Sequence, residues 1–367
     1  MLYYFLYDLK DTLFAFNIFG YITFRAAGAA ITALLISFIA GPKVIKYLNK
    51  KQIGEEIRNE GPDTHRKKSG TPTMGGIVII LSTIIPTMIW AKLFNELVLI
   101  ILLVVVWMAI IGFIDDYLKI IKKVPSGLIA KYKLIGQVSI GLIVVYFMNS
   151  SIIYNEVRTS TSLPFIANGI IDFGILYPFL MVFIITATSN AVNLTDGLDG
   201  LAAGLVAIST LIFGGIAYVS GRVDFSSYLN IQYIDGSGEL FIFCLSMVGA
   251  CIGFLWFNAH PAKVFMGDTG SLSLGAALGT LSIMLKKEIL LSIIGGVFVI
   301  ETVSVLIQVG YYKYSKRKYG KGKKVFKMAP IHHHFELLGW HENHVVVRFW
   351  IVGVMLALIS LTTFKIQ

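Results

Sequence analysis

Long apolar runs alternate with short polar stretches along this chain. Ten runs, near residues 20–40, 73–91, 95–114, 133–149, 174–189, 200–219, 239–257, 271–285, 289–311 and 345–364, approach the length a helix needs to cross a bilayer. That length is about 20 residues for about 30 Å of hydrocarbon. The runs near 133–149, 174–189 and 271–285 are short and must extend into their polar flanks. None has the strict alternation of a membrane β-barrel strand. The pattern predicts an all-α integral membrane protein of about ten transmembrane helices, organised as a single polytopic membrane domain over residues 1–367. Residues 1–19 are amphipathic and aromatic, without the basic start and small-residue cleavage site of a signal peptide, and read as an interfacial helix. The segment 150–173 mixes β-formers with turn residues, which allows a small β-hairpin there.

Composition agrees. The chain is 56% hydrophobic and 14% charged, against roughly 45–50% and about 25% in soluble domains. A soluble enzyme, a secreted disulfide scaffold and a disordered protein are excluded. Cys244 and Cys251 stand two helical turns apart, about 10 Å along the axis, too far for a disulfide. Charge then sets the orientation. Of the 31 Lys and Arg residues, 22 fall in the connections 41–72, 115–133, 190–199, 258–270 and 312–344, and 8 on the opposite side. Positive charge marks the cytoplasmic side, so these five connections face the cytoplasm and both termini lie outside. The formal net charge of +10 is therefore mainly a topological bias, not a nucleic-acid footprint.

The polar residues that carry chemistry gather on that one face. Asp115 and Asp116 close the third span, and adjacent helical residues point about 100° apart. Separate roles are expected of them, with a solvated helix end as the bland alternative. Asn190, Asn193, Asp196 and Asp199 recur every three residues between the fifth and sixth spans, with Gly197 and Gly200 among them. Amides, carboxylates and glycines in that pattern suit the hydroxyls, base edges and phosphates of a nucleotide, or a polar turn. Gly267-Asp268-Thr269-Gly270 reads as a turn opening the eighth helix, whose N-terminus would be a phosphate site. Asp268 there is a candidate Mg²⁺ ligand. Gly70-Thr-Pro-Thr-Met-Gly75-Gly76 has P-loop spacing, but Ile77 replaces the required Lys. His332, His333 and His334 admit a zinc site with His341 and His344; no zinc-protease spacing supports it, and imidazoles binding a diphosphate fit the nearby lysines better. Glu301, inside the ninth span, is a functional hypothesis by default or the mark of a bent helix around a lipid groove, with Gly295, Gly296 and Gln308 nearby.

In this order the motifs resemble the polyprenyl-phosphate N-acetylhexosamine-1-phosphate transferases, over essentially the whole chain. Lys68-Ser-Gly70-Thr-Pro-Thr73-Met-Gly75-Gly76 and Pro330-Ile-His-His-His334-Phe-Glu336 resemble the phospho-N-acetylmuramoyl-pentapeptide branch. The resemblance implies transfer of phospho-N-acetylmuramoyl-pentapeptide from its UDP-linked donor to undecaprenyl phosphate, giving lipid I and UMP with Mg²⁺. It implies a bacterial cytoplasmic membrane and a homodimer. It gives Asp268 the metal, Asp115 the role of base toward the lipid phosphate, and Asp116 and His332 places in the catalytic centre. Lys119, Lys123 and Lys131 would position and screen the phosphates. Lys68, Thr73, Asn190, Asn193, Asp196, Asp199, Asn258 and Phe265 would form the nucleotide and diphosphate pocket, with His333 and His334 at the sugar-diphosphate end. Met, Phe and Leu along the ninth span would line a groove for the prenyl chain. Direct attack by the lipid phosphate is favoured over a covalent Asp intermediate, because a carboxylate is the weaker nucleophile.

Two other readings set the tests. A relative using UDP-N-acetylglucosamine would keep the mechanism and change the branch. A secondary transporter would place its polar groups near the bilayer midplane, whereas these lie at one face.

Overall fold

A computed structural model describes residues 1–50, 70–124, 127–166 and 169–366. It is helical, as the apolar runs predict, with each run on a helix. In chain order these are α1 (Leu2–Leu6), α2 (Ile22–Lys50), α3 (Gly76–Trp90), α4 (Glu96–Ile120), α5 (Ala130–Ser150), α6 (Tyr177–Thr195) and α7 (Leu201–Ser220). There follow α8 (Val223–Leu229), α9 (Gly238–Asn258), α10 (Gly267–Met284), α11 (Glu288–Ile294), α12 (Gly296–Tyr319), α13 (Ile331–Leu337) and α14 (Glu342–Ile366). The expected hairpin is present: β1 (Ser160–Ser162) pairs antiparallel with β2 (Ile170–Asp172).

By length and hydropathy, seven of the described helices can cross a bilayer, or eight if α11 and α12 count as one span. Three of the ten expected spans, on α3, α10 and the α11–α12 pair, lie outside those seven for physical reasons. The α3 helix has only 15 residues. The α10 helix, rich in Gly, Ser and Thr, is buried in protein over nearly its whole length, so it does not meet lipid and need not be strongly apolar. The α11–α12 pair bends by 85° at Gly295, the bent ninth span that Glu301 and the paired glycines suggested. Residues 1–19 form α1 and two 3₁₀ segments, Tyr7–Leu9 and Phe14–Gly20, in place of one interfacial helix.

Two buried helices organise the rest. The α9 helix packs on α2, α3 and α7, and α10 on α4 and α6. Contact between α4 and α10 needs Gly112, where a Cβ would lie 2.3 Å from the carbonyl oxygen of Asp268. That approach brings the end of α4 against the start of α10.

The far end of the bundle is tied by charges. Arg25, 1% exposed, donates both terminal nitrogens to Glu239 at 2.8 and 2.7 Å, and the Lys92 N–H donates to the same carboxylate at 2.8 Å. Between α10 and α11, Lys286 Nζ donates to the Arg158 carbonyl and the Tyr177 hydroxyl, and Lys287 Nζ to Ser162 Oγ. Both ammoniums are buried, and burial pulls each down to about 8, Glu288 opposing it. Glu288 accepts from Thr161 and Tyr177, so this cluster holds the hairpin against the bundle.

Candidate active site

The end of α4 presents its two carboxylates to different neighbours, as adjacent helical positions must. Asp116, 3% exposed, points into the N-terminus of α10. It accepts from the Asp268 N–H at 3.0 Å, the Thr269 N–H at 2.9 Å and Thr269 Oγ1 at 2.7 Å. A helix N-terminus leaves its first N–H groups unpaired, and here a carboxylate from another helix takes two of them. The sequence expectation of a phosphate site at this terminus is therefore corrected, because Asp116 already fills it.

Asp115, fully buried, faces the other way. It accepts from the Leu128 N–H at 2.6 Å, and its second oxygen lies 2.5 Å from Lys119 Nζ and 2.8 Å from Lys133 Nζ. The same two amines reach Asp268 Oδ2 at 3.2 and 2.6 Å. Asn193 donates to the other oxygen of Asp268 and to Ser271 Oγ, both at 2.8 Å. Four helices, α4, α5, α6 and α10, thus converge on three carboxylates, two ammoniums and one amide. Burial pushes Asp116 up to about 7 and raises Asp115 as well, and with all three carboxylates ionised the group carries one negative charge in excess.

Asp115, Asp116 and Asp268 each offer an oxygen within 4.8 Å of the others. Mg²⁺ takes oxygen ligands at about 2.0–2.1 Å in octahedral geometry, so opposite ligands lie about 4.2 Å apart, within that spread. The hard carboxylate oxygens and the surplus charge suit such an ion. They do not suit a soft metal.

A second group lies across the turn that follows α6. Asp199 Oδ2 accepts from the Ala262 N–H at 3.1 Å and pairs with His260 Nδ1 at 2.9 Å. Glu342 accepts from the Asp199 N–H at 2.9 Å and stands 3.4 Å from the same imidazole nitrogen. Asn258 accepts from the Gly200 N–H at 3.0 Å and donates to the Val264 carbonyl at 2.9 Å. Asn258 and Asp199 therefore brace the turn against the loop 259–266. Phe265, half-buried, is held through its backbone by Pro72 and Gly75, each at 2.8 Å.

The other expected residues divide. Thr73 Oγ1 lies close to Gly267, and Asp196 ends α6. Asn190 donates to Gln137 Oε1 at 3.0 Å, one turn back from Asn193. Lys123 and Lys131 are exposed, and the amines at the carboxylates are those of Lys119, as expected, and Lys133, which the sequence reading passed over. Lys68 lies outside the described residues. The three histidines turn to different partners, although the His332 and His333 ring centroids lie 4.1 Å apart: His332 pairs with Glu301, His333 with Glu336, and His334 accepts from the Lys327 N–H. They share no centre, and the zinc reading has no geometric support among the described residues. Glu301, His260 and Glu342 were also missed as partners, since their pairings span 31, 61 and 143 residues. Beyond the bend, α12 exposes Ile300, Val303, Leu306 and Ile307, an apolar surface of Ile and Val with one Leu where the sequence reading expected Met, Phe and Leu. A separate apolar groove of about 440 Å³ lies between α2, α3 and α4, with Met74, Phe113 and Tyr117 in its wall.

Comparison with known proteins gives a consistent result. Residues 98–286 match the family Glycosyl transferase family 4, and residues 68–80 match the phospho-N-acetylmuramoyl-pentapeptide-transferase signature 1. The chain is 50% identical over 369 residues to the phospho-N-acetylmuramoyl-pentapeptide-transferase of Chloroherpeton thalassium. It is 48% identical over 369 residues to the protein of that name in Chlorobaculum parvum, and 50% over 380 residues to that of Gemmatimonas aurantiaca. Each alignment covers 100% of both chains.

Proposed function

The chain belongs to the phospho-N-acetylmuramoyl-pentapeptide-transferase family, and from that premise we propose that it transfers phospho-N-acetylmuramoyl-pentapeptide from the UDP-linked donor to undecaprenyl phosphate. The products are lipid I and UMP. An oxygen of the prenyl phosphate bonds to the sugar-bearing phosphorus as the bond to the uridylate phosphate breaks, and UMP leaves with that electron pair. The observation that carries this reading is the convergence of Asp115, Asp116 and Asp268 with Lys119 and Lys133 at one end of the bundle. Phosphoryl transfer asks mainly for positioning and charge stabilisation, and that is what this centre offers.

Mg²⁺ is the cation we assign to the three carboxylates, with Asp268 as its principal ligand. When bound, it would neutralise charge on the diphosphate and the leaving phosphate. The chain's own groups do the rest. Asp116 fixes the backbone that carries Asp268, and Asn193 sets that carboxylate's rotation. Asp115 holds Lys119 and Lys133 where two anionic phosphates must approach one another. A phosphate monoester is largely dianionic at neutral pH, its second pKa being near 6, so holding the ammoniums matters at least as much as removing a proton. The turn from Asp196 to Asp199 and Phe265 are given to the nucleotide, with uracil on the aromatic face. The exposed face of α12 is given to the prenyl chain.

We assign this end of the bundle to the cytoplasm, and the Lys/Arg distribution supports that reading. There a soluble nucleotide sugar and a membrane-bound phosphate can meet. A homodimer is the assembly proposed. The deciding assay uses the purified protein in detergent with Mg²⁺ and undecaprenyl phosphate, and supplies UDP-N-acetylmuramoyl-pentapeptide or UDP-N-acetylglucosamine separately. UMP release together with an organic-extractable muramoyl-pentapeptide is the expected result. Turnover of the glucosamine donor alone would overturn the branch, and silence with both would overturn the reaction.

A further inference from the structure

Glu301 is fully buried on α12, 0% exposed, and so is His332 on α13. Their one direct contact is His332 Nδ1 to Glu301 Oε2 at 3.1 Å. The remaining polar atoms of the pair, Glu301 Oε1 and His332 Nε2, are buried and have no hydrogen-bond partner. A buried carboxylate–imidazole pair with half its polar atoms unmatched weakens a fold compared with an apolar pair of similar volume. Stability does not account for it. The direction in which it points does. A Cβ on Gly197 would stand 2.4 Å from His332 Nε2, so the imidazole fills the space where residue 197 would carry its side chain. Gly197 lies between Asp196 and Asp199 in the turn after α6.

We propose that Glu301 is a positioning residue for the nucleotide: it holds His332 by Nδ1, and the far edge of the ring sets the turn Asp196–Asp199. The chain of contact runs from the bent span α12 through α13 to the turn, with no other side chain between Glu301 and Gly197. The carboxylate fixes the imidazole with its proton on Nδ1, so Nε2 is the atom presented at the turn. The inference rests on the reading that this turn takes the uridine nucleotide. It adds that nucleotide affinity is set from inside the membrane-spanning part of the chain.

The test measures binding of UMP by calorimetry to the purified full-length protein in detergent, beside steady-state kinetics with both substrates. Glu301→Ala is expected to weaken UMP about tenfold, or about 1.4 kcal/mol. It should raise KM for the nucleotide donor and leave KM for undecaprenyl phosphate within twofold. Glu301→Gln keeps an oxygen for Nδ1–H and should restore UMP affinity to within threefold of the parent. Gly197→Ala drives a methyl group against Nε2 and should reproduce the loss, so these two variants carry the test if Glu301→Ala does not fold. Unchanged UMP affinity in Glu301→Ala or, where that variant does not fold, in Gly197→Ala would overturn the proposal. So would an equal rise in both KM values. A parent protein that neither binds UMP nor turns over the donor would instead refute the function on which the inference rests.

Discussion

Lys133 competes with any cation for the carboxylates it joins. Its amine is 2.6 Å from Asp268 Oδ2 and 2.8 Å from Asp115 Oδ2, and those oxygens belong to the group that would hold Mg²⁺. Lys133→Met removes the charge and keeps most of the stem. Two unit charges about 4 Å apart interact by about 4 kcal/mol at an effective dielectric near 20. The lysine side chain is 21% exposed and can swing outward, so most of that repulsion is relieved when an ion binds. About 1.4 kcal/mol is a reasonable remainder, or roughly tenfold tighter cation binding. Lys133→Met should therefore need about one-tenth the Mg²⁺ for half-maximal UMP release, while its maximal rate falls because one ammonium facing the phosphates is gone. Mn²⁺ binding followed by electron paramagnetic resonance, without substrates, gives the affinity independently of turnover. Weaker Mn²⁺ binding in the variant would show that Lys133 supports the ion, and the argument from shared oxygens would be wrong.

Three further expectations can be checked with the same preparation. Asp116→Asn turns an amide N–H₂ toward a backbone N–H of α10, at a cost of about 1–3 kcal/mol; the melting temperature in detergent should drop by at least several degrees, and an unchanged value would remove Asp116 as the cap. Asp115→Asn should lower kcat by about 10²-fold with the acceptor KM within threefold, whereas an unaltered kcat would take Asp115 out of the chemistry. Burial lowers Lys286 and Lys287 to about 8 in the folded protein, below the usual lysine value near 10.4. Between those values the unfolded chain binds more protons than the folded one, so stability rises with pH over that window and is reduced below about 8. Thermal melting from pH 7 to 10 should show that rise, flattened in Lys287→Met; a flat parent profile would refute it.

Where helical periodicity alone settles geometry, the sequence was a sufficient guide. The divergence of Asp115 and Asp116 follows from 100° per residue, and the distant carboxylates share one end because each closes or opens a span on the same side. Choosing between Lys131 and Lys133 required the rotation of α5 about its axis, which α4 and α6 determine. The N-terminus of α10 reads as an anion site until the partner helix is in place, because its cap comes from Asp116, 152 residues earlier. Glu301 was visible as an anomaly, but its partner was not, since the bend at Gly295 decides what a residue on α12 can reach. Length and hydropathy pass over α10 for a related reason. Hydropathy is selected only where a helix meets lipid, and α10 is sheltered from it.

The Arg25–Glu239 clasp has a consequence for how the chain is made. Arg25 lies in α2, and its counter-ion is 214 residues further along. At about 5–20 residues per second, Glu239 is synthesised about 10–40 s after Arg25. During that interval the first long helix carries an unneutralised guanidinium, and its flexible stem lets the charge reach the headgroup layer. Withdrawal of Arg25 into the protein must await arrival of α9, the helix on which α2, α3 and α7 all pack. Closure of this clasp therefore belongs to the later stages of biogenesis. A pulse-labelled nascent chain stalled before residue 239 should leave Arg25 open to an arginine-directed reagent that the completed protein excludes.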